Sequence, residues 1–550
     1  MDDNAKELMR RGNKLFEQKA PFDTLCQEIA SNFYSARADF TTKINLGDEF
    51  ASHLVDSYPE LVRRDLANAF ASMLRPSNQQ WFSASVDEDL EAQKDVKTYL
   101  EYMDKVTSRI LYDPETNMRR ACTEADSDLA AFGNAVLSIV DNKNRDGLNI
   151  RAWHLRDCAW MDDELGMVAA LHRKQKITLT NLQRQFGEKA FPQRWKNQLG
   201  KDPLAEVTIR HCAVRKSDYD PYGSKKTFGG MPFVSIFYTE EGDLLAEIPE
   251  PHMPYVVPRW QKVSSSPYAF SPATIIALPN ARLIQRMMLT LIEAAEKTVD
   301  PPLVATHEAI KSEVDLTAGG ITWVDREYDE RLGEAIRPLQ LGRNVSLGYD
   351  LVDTQRKMLA EAFYLSKINL PQAREKTAYE TARLVEEYVR NALPLFEPLE
   401  DEYNSALLDA VVARAMRLGA YGPPDRVPEP LRGKDLKFRY TNPLREAMAK
   451  RKVVAFQDTS ALLAAAAQIK PDSLAIVDVN TMLRDAVRGT GAPATWFKSE
   501  DELAAEQAMQ AQMAKLMQTG GMISQGADIA KKVADAEFAT KQAEAGPEAA

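Results

Sequence analysis

Apolar side chains recur at helical spacing along most of the chain, and a strand-like texture replaces that spacing over one long stretch. Residues 5–75 read as helical, with Leu61, Leu66, Phe70 and Leu74 near one face and Pro76 as the stop. Two more helical stretches cover about 91–111 and 118–130, after which Phe132-Gly133-Asn134 turns the chain into an apolar strand from Ala135 to Val140. From about 149 to 260 the pattern is that of strands. Asp162-Asp163-Glu164-Leu165-Gly166 and Glu240-Glu241-Gly242-Asp243 separate apolar runs and predict hairpin turns. Short helices fit around 178–200, and Pro251, Pro254 and Pro258 close the region.

Helical spacing resumes at Ser271-Pro272, an N-cap residue followed by proline at the first helical position. Over 280–299, Leu283, Ile284, Met287, Met288, Leu291 and Ile292 form one stripe that stops at Asp300-Pro301-Pro302. A helix of that length spans roughly 30 Å. A compact mixed segment follows at 301–348, with a turn at Gly319-Gly320 and a strand from Ile321 to Val324. The next helix, about 350–364, carries Leu351, Met358, Leu359, Ala362 and Phe363 on one side. An irregular stretch from Leu365 to Lys376, broken by Pro371, leads into a long helical pattern over 377–418. Pro394 and Pro398 should kink that helix, and Gly419 with Gly422-Pro423-Pro424 ends it. Residues 444–470 are again helical in pattern, and the Met-, Gln- and Ala-rich tail beyond about 500 has too few large apolar groups to bury much surface. The fold class expected is α+β, mainly helical.

Composition narrows the functional classes. The chain has 550 residues, 44% hydrophobic and 27% charged, as in ordinary globular proteins, and its length suits three or four domains. A net charge of -11 argues against a protein that grips duplex DNA over its whole surface, although DNA could still slide past a weakly interacting bore. Cys26, Cys122, Cys158 and Cys212 form no CxxC pair, so structural disulfides are not expected and a reducing cytoplasm suits the chain. The acidic start Met1-Asp2-Asp3-Asn4 lacks the apolar core of a signal peptide, and no apolar run reaches the ~20 residues that cross a bilayer.

Catalytic patterns are missing. No GxxxxGK[ST] loop is present, and Gly223-Ser224-Lys225-Lys226-Thr227 lacks its spacing. Gly489-Thr490-Gly491-Ala492-Pro493-Ala494 matches a dinucleotide pattern in form, but it follows a helical run where a strand is required, so it reads as a glycine helix stop. There is no GxSxG, and His53, His154, His172, His211, His252 and His307 show neither HxH nor HxxxH spacing. Asp87-Glu88-Asp89 and Asp162-Asp163-Glu164 read as solvated turns, and Trp81-Phe82 and Trp260 as core or subunit-contact anchors. No metal, no cofactor and no enzymatic activity are expected.

Several local segments, in this order, carry a resemblance. They are Arg64-Asp65-Leu66-Ala67-Asn68 through Leu74-Arg75-Pro76 to Trp81-Phe82, then Phe132-Gly133-Asn134-Ala135-Val136-Leu137. Pro254-Tyr255-Val256-Val257-Pro258-Arg259-Trp260 follows, leading to Tyr268 and Ser271-Pro272. Leu278-Pro279-Asn280 and Asp300-Pro301-Pro302 bracket the next helix, and Tyr440-Thr441-Asn442-Pro443-Leu444-Arg445 comes last. Together with the element order they make the chain resemble the portal, or head-to-tail connector, proteins of short-tailed bacteriophages. One departure is Pro267-Tyr268-Ala269-Phe270, where relatives often carry a Tyr-Gly pair.

The resemblance implies a portal-type fold: a wing at 1–270, a first stem helix at 271–300, a clip at 301–348 and a second stem helix at 349–364. A tunnel loop at 365–376, a long kinked wing helix and connection at 377–440, a crown at 441–500 and a flexible tail at 501–550 complete it. It also implies a homo-oligomeric ring, usually of twelve copies, at the capsid vertex, assembled in the host cytoplasm and acting without a membrane. Double-stranded DNA would pass through without sequence readout, touching the tunnel-loop residues Lys367, Asn369, Gln372, Arg374 and Lys376. The clip residues Asp325, Arg326, Asp329, Glu330 and Arg331 would face the terminase and tail adaptor proteins, and the wing would meet capsid and scaffolding proteins. The contrasting expectation from composition is a cytoplasmic helical scaffold that binds partners and forms no channel.

Overall fold

The computed structural model describes residues 3–45, 47–76, 79–87, 90, 93–142, 147–220, 229–299, 303–305, 336–338, 345–365 and 394–440, with 456–457, 459–464, 482–483, 486 and 509. The chain divides into two compact units. One comprises Met1–Ser85, Tyr102–Arg426 and Leu436–Arg451, the other Val86–Glu101, Val427–Asp435 and Lys452–Ala550. The class is mixed α+β with helix predominating, as the periodicity predicts.

In chain order the first elements are α1 (Asp3–Phe33), α2 (Tyr58–Leu74), β1 (Phe82–Ser85), α3 (Lys94–Tyr112) and α4 (Met118–Phe132). Strands β2 (Leu137–Asp141), β3 (Leu148–Ala152), β4 (Cys158–Asp162) and β5 (Val168–Thr178) follow. Two short helices come next, α5 (Leu179–Phe186) and α6 (Gln193–Leu199), then β6 (Glu206–Arg215), β7 (Phe233–Thr239), β8 (Leu244–Glu250) and β9 (Tyr255–Val256). The last are α7 (Leu278–Val299), β10 (Leu303–Ala305), β11 (Ile336–Pro338), α8 (Val345–Ala362), α9 (Ala406–Arg417) and β12 (Lys437–Tyr440).

Hairpin connections dictate an antiparallel meander, and β4 to β8 form one in sequence order, with both predicted turns at its hairpins. A second sheet has the order β3-β2-β9, and β1 pairs with β12 from the far end of the same unit. The main core gathers Phe33, Phe70, Trp81, Phe132, Trp160, Trp260 and Phe363 from helices and strands alike. Trp81 and Trp260 are buried anchors, as their bulk suggests. Charged pairs pin α9 to the sheets: Arg414, almost wholly buried, donates to Glu250 at 2.7 Å, and Arg417 pairs with Asp141.

Three expectations need correction. Residues 5–75 are not helical throughout, because the described residues between 38 and 57 form bends, turns and irregular chain. This stretch breaks the apolar periodicity with Gly47 at φ +98° and satisfies part of its backbone locally, the Asp48 carboxylate accepting from the Asn45 N–H at 2.7 Å. Ala273–Val299 is one continuous helix, long and apolar enough by composition to cross a bilayer, where no such stretch is expected from the sequence. Arg282 and Arg286 interrupt its apolar run, so the helix is legible in the sequence but not as an unbroken apolar stretch. The predicted stripes on α7 and α8 are not single buried faces either, because Leu283, Ile292, Leu351 and Met358 point to solvent. The helix after Pro394 and Pro398 does depart from α geometry, with a π-helical turn at Glu400–Ser405.

Candidate assembly surface

Helix α7 begins where two distant segments lock together. Helix α4 ends at Gly133, whose φ of +73° is a left-handed conformation that glycine adopts without penalty. The Phe270 backbone passes so close that a Cβ on Gly133 would lie 2.3 Å from its carbonyl carbon. Asn134, fully buried, binds both polar groups of the Ala269 backbone at 2.8 Å, accepting from its N–H and donating to its carbonyl. The Ser271 hydroxyl donates to the Ala131 carbonyl at 2.7 Å and accepts from the Thr274 N–H at 3.3 Å, the capping role predicted for it. A five-residue π-turn, Ala273–Ala277, then leads into α7. The Tyr268-Ala269-Phe270 turn is thus held by Gly133 and Asn134 on the opposite segment.

Helices α7 and α8 pack against each other, and Gly348 sets how closely they approach. A Cβ there would lie 2.3 Å from a methyl of Leu291. Both helices are tied to one point near the start of α2. The Gln285 side-chain carbonyl accepts from the Val55 and Asp56 N–H groups at 2.8 and 2.9 Å, and its amide donates to the Asp56 carbonyl at 2.6 Å. From α8, Arg356 donates to the buried Asp56 carboxylate at 2.8 Å. Arg282 adds an ion pair to Glu28 of α1.

With those faces satisfied, an apolar set remains uncovered on each helix. Ile275, Ile276, Leu283, Leu289 and Ile292 on the first helix and Leu351 and Met358 on the second are 41 to 56% exposed. Burying the exposed half of such a side chain is worth about 1 kcal/mol, so covering several of them with a second polypeptide would be stabilising.

The segment between α8 and α9 is anchored at both ends on one tryptophan. The Trp260 indole N–H donates to the Leu395 carbonyl at 3.0 Å, and its ring meets Phe70 and Tyr364 edge-on. Gln261 donates to the Tyr364 hydroxyl at 3.2 Å. Arg259, beside it, joins Asp162 of β4 to Glu402 at 2.8 and 2.9 Å. The Pro258-Arg259-Trp260 motif is thus a junction, a role that its residue types alone did not disclose. Lys367, Asn369, Gln372, Arg374 and Lys376 lie outside the described residues, as do Asp325, Arg326, Asp329, Glu330 and Arg331.

A cluster of buried titratable groups sits in the five-stranded sheet. His172 on β5 faces Cys212 on β6 across the ladder, and Tyr238 on β7 closes the group at 3.4 Å. Burial, with the Arg210 and Arg11 charges, pulls the His172 pKa down to about 4. Neighbouring His211, hydrogen-bonded to the Tyr255 hydroxyl, is likewise held well below the usual range by burial. No reacting geometry accompanies them, so their consequence is for stability. Above pH ~6.5 both folded and unfolded imidazoles are neutral and the stability is fully present; below it the unfolded chain binds protons that the fold refuses. For His172 the loss should reach about 3 kcal/mol by pH 4 and then level off. Urea midpoints measured at pH 7.5 and 4.5 should differ strongly for the wild type and less for His172→Gln. Equal slopes in both proteins would remove His172 from the account.

Residues 5–497 match the family described as bacteriophage head to tail connecting protein. The chain is 22% identical to the portal protein of Salmonella phage epsilon15, over 96% of this chain and 95% of that protein. It is 23% identical to the probable portal protein of Bordetella phage BPP-1, over 98% and 97%. A solved structure titled virion of native gene transfer agent particle aligns over 80% of this chain and 89% of that one, at 10% identity and a TM-score of 0.35. A match that runs through nearly all of the described fold leaves one assignment: this is a structural protein and not an enzyme, and it belongs to the bacteriophage head-to-tail connecting (portal) protein family.

Proposed function

We infer that twelve copies of this chain close into a ring at the capsid vertex, through which the phage genome is packaged, retained and ejected. The observation that carries this reading is the uncovered apolar set on α7 and α8, two helices otherwise sealed against their own subunit. Cyclic closure needs two different faces of each subunit to match, and a helix pair with apolar side chains left outward supplies such faces. In this reading α7 and α8 are the stem helices, 301–348 is the clip and 365–376 is the tunnel loop. Asp325, Arg326, Asp329, Glu330 and Arg331 then meet the terminase and the tail adaptors, while capsid and scaffolding proteins hold the wing. Lys367, Arg374 and Lys376, with Asn369 and Gln372, touch DNA phosphates weakly, because tight contacts would arrest translocation.

Light scattering of the purified protein tests the ring. Twelve subunits of 61.6 kDa give a species of about 740 kDa. Leu283→Glu with Met358→Glu should shift the protein to smaller species, since each places a charge in the contact. A chain that stays monomeric at every concentration, even with scaffolding protein present, would sink the proposal.

A further inference from the structure

The charge of this acidic chain is not spread evenly. Between Lys174 and Lys201 there are seven basic residues against one acid, Glu188, a local excess of six positive charges in a chain of net charge -11. The stretch runs from β5 through α5 and α6, a small two-helix lobe on the five-stranded sheet. The lobe has a satellite core of its own: Leu179, Leu182, Phe191 and Trp195 turn inward against Ile209, Phe237 and Leu245 of the sheet. Because the apolar and aromatic side chains are spent on that core, the outward face is left to basic and amide groups.

Among the described residues most of those charges have no ion-pair partner. Arg194 pairs with Glu241 and Asp243, and Lys174 lies 4.0 Å over the Phe16 ring. Lys176, Arg184, Lys189 and Lys201 are exposed and Lys196 half-buried, and among the described residues none of the five makes an ion pair. Asn181, Gln193, Asn197 and Gln198 lie among them, uncharged side chains that can donate to phosphate oxygens. Like charges gathered within one small lobe repel one another, and the arrangement gains from a polyanion that neutralises several at once.

We propose that this lobe is a second nucleic-acid surface, outside the channel, that holds the backbone of duplex DNA without reading its sequence. Two observations favour a duplex over other acidic partners. A single strand would need aromatic platforms, and the lobe's Phe191 and Trp195 are buried. A protein interface would need an apolar centre, yet between Met167 and Val263 the only strongly exposed large hydrophobic among the described residues is Leu204. What remains is the signature of phosphate contact: several lysines and arginines, amide donors and no apolar anchor. A local patch also reconciles DNA contact with the acidity of the chain as a whole.

The test uses covalently closed circular duplex DNA, which cannot thread a closed ring and so reports only outer surfaces. Binding to the full-length protein is measured by filter retention from about 50 to 200 mM salt. Replacing Lys176, Arg184, Lys189, Lys196 and Lys201 by Gln should weaken binding by more than about thirtyfold at the low-salt end. It should also make the slope of log affinity against log salt shallower by roughly four. Replacing the four lysines by Arg should keep both, which separates lost charge from lost fold; if the Gln variant loses its oligomer, Lys176→Glu with Lys189→Glu takes its place. Wild-type affinity and slope in the charge-removed protein would overturn the proposal. So would unchanged DNA binding coupled to failed head assembly, which would assign the lobe to an acidic protein instead. The oligomer mass is read separately, so a failure here leaves the ring untouched, and the reverse.

Discussion

Gly133→Ala should destabilise the larger unit by at least about 3–5 kcal/mol, more than any other single methyl addition among the described glycines. A left-handed φ of +73° costs an alanine roughly 1–2 kcal/mol before any contact is counted. The new Cβ would then stand 2.3 and 2.4 Å from the Phe270 carbonyl carbon and oxygen and 2.8 Å from the Ser271 nitrogen. These are backbone atoms and cannot swing aside as a side chain would. Asn134 holds the Ala269 peptide on both sides, Ser271 is bonded to Ala131, and the Trp260 N–H donates to the Gly133 carbonyl at 2.9 Å. Relief therefore requires breaking several buried hydrogen bonds at the start of α7. The expected readout is a fall in the urea midpoint, or loss of soluble protein, together with failure to oligomerise. A midpoint within ~0.5 kcal/mol of wild type would mean that this junction yields readily.

Arg75→Met should cost about 3–5 kcal/mol, for an electrostatic reason. Arg75 caps the end of α2, and its side chain is 4% exposed beside Asp126, which is 2% exposed. The guanidinium donates to the Asp126 carboxylate at 2.6 Å and to the Asn404 carbonyl at 3.0 Å, and lies 4.3 Å over the Tyr403 ring. Asn404 in turn donates to the Leu74 carbonyl at 3.2 Å, so α2, α4 and the π-turn before α9 meet at one charge. Removing only the cation leaves a buried carboxylate unpaired, which is far worse than lacking the pair altogether. Arg75→Met combined with Asp126→Leu should therefore recover most of the loss, leaving about 1 kcal/mol for the Asn404 side-chain carbonyl, which loses its donor. Urea unfolding of both single variants and the double variant gives the coupling. Additive losses in the double variant would show that the two side chains act independently.

Much of the architecture was legible along the chain, because its signals are local. Helix starts and stops at Pro76, Gly133, Ser271-Pro272 and Gly419, and the turns at Asp162–Gly166 and Glu240–Asp243, depend on backbone preferences of the residues that occupy them. The irregular 38–57 segment was not legible, since it is held partly by bonds between neighbours, such as Asn45 to Asp48, and partly by Gln285 and Arg356 more than two hundred residues away, and periodicity registers neither. On α7 the stripe of large residues marked the inner face only in part. The side packed inward includes Ala281 and Ala294 beside Ile284 and Leu291, where small residues permit a close approach, and Leu283 and Ile292 are left outside.

The segments that carried the family resemblance show the same division. Leu74-Arg75-Pro76, Phe132-Gly133-Asn134 and Pro258-Arg259-Trp260 stood out as residue patterns without evident chemistry. The tertiary structure joins Arg75 to Asp126 and Asn404, Gly133 to Phe270, and Arg259 and Trp260 to residues of the helix that leads into α9. By itself the sequence determined which stretches are helix, strand or turn, because that choice is made within a few residues by φ/ψ preference and apolar spacing. Only the tertiary structure decided which buried polar groups satisfy one another and which apolar faces stay open for another subunit. A hydrogen bond or a van der Waals contact depends on distance in space, and these partners lie dozens to hundreds of residues apart along the chain.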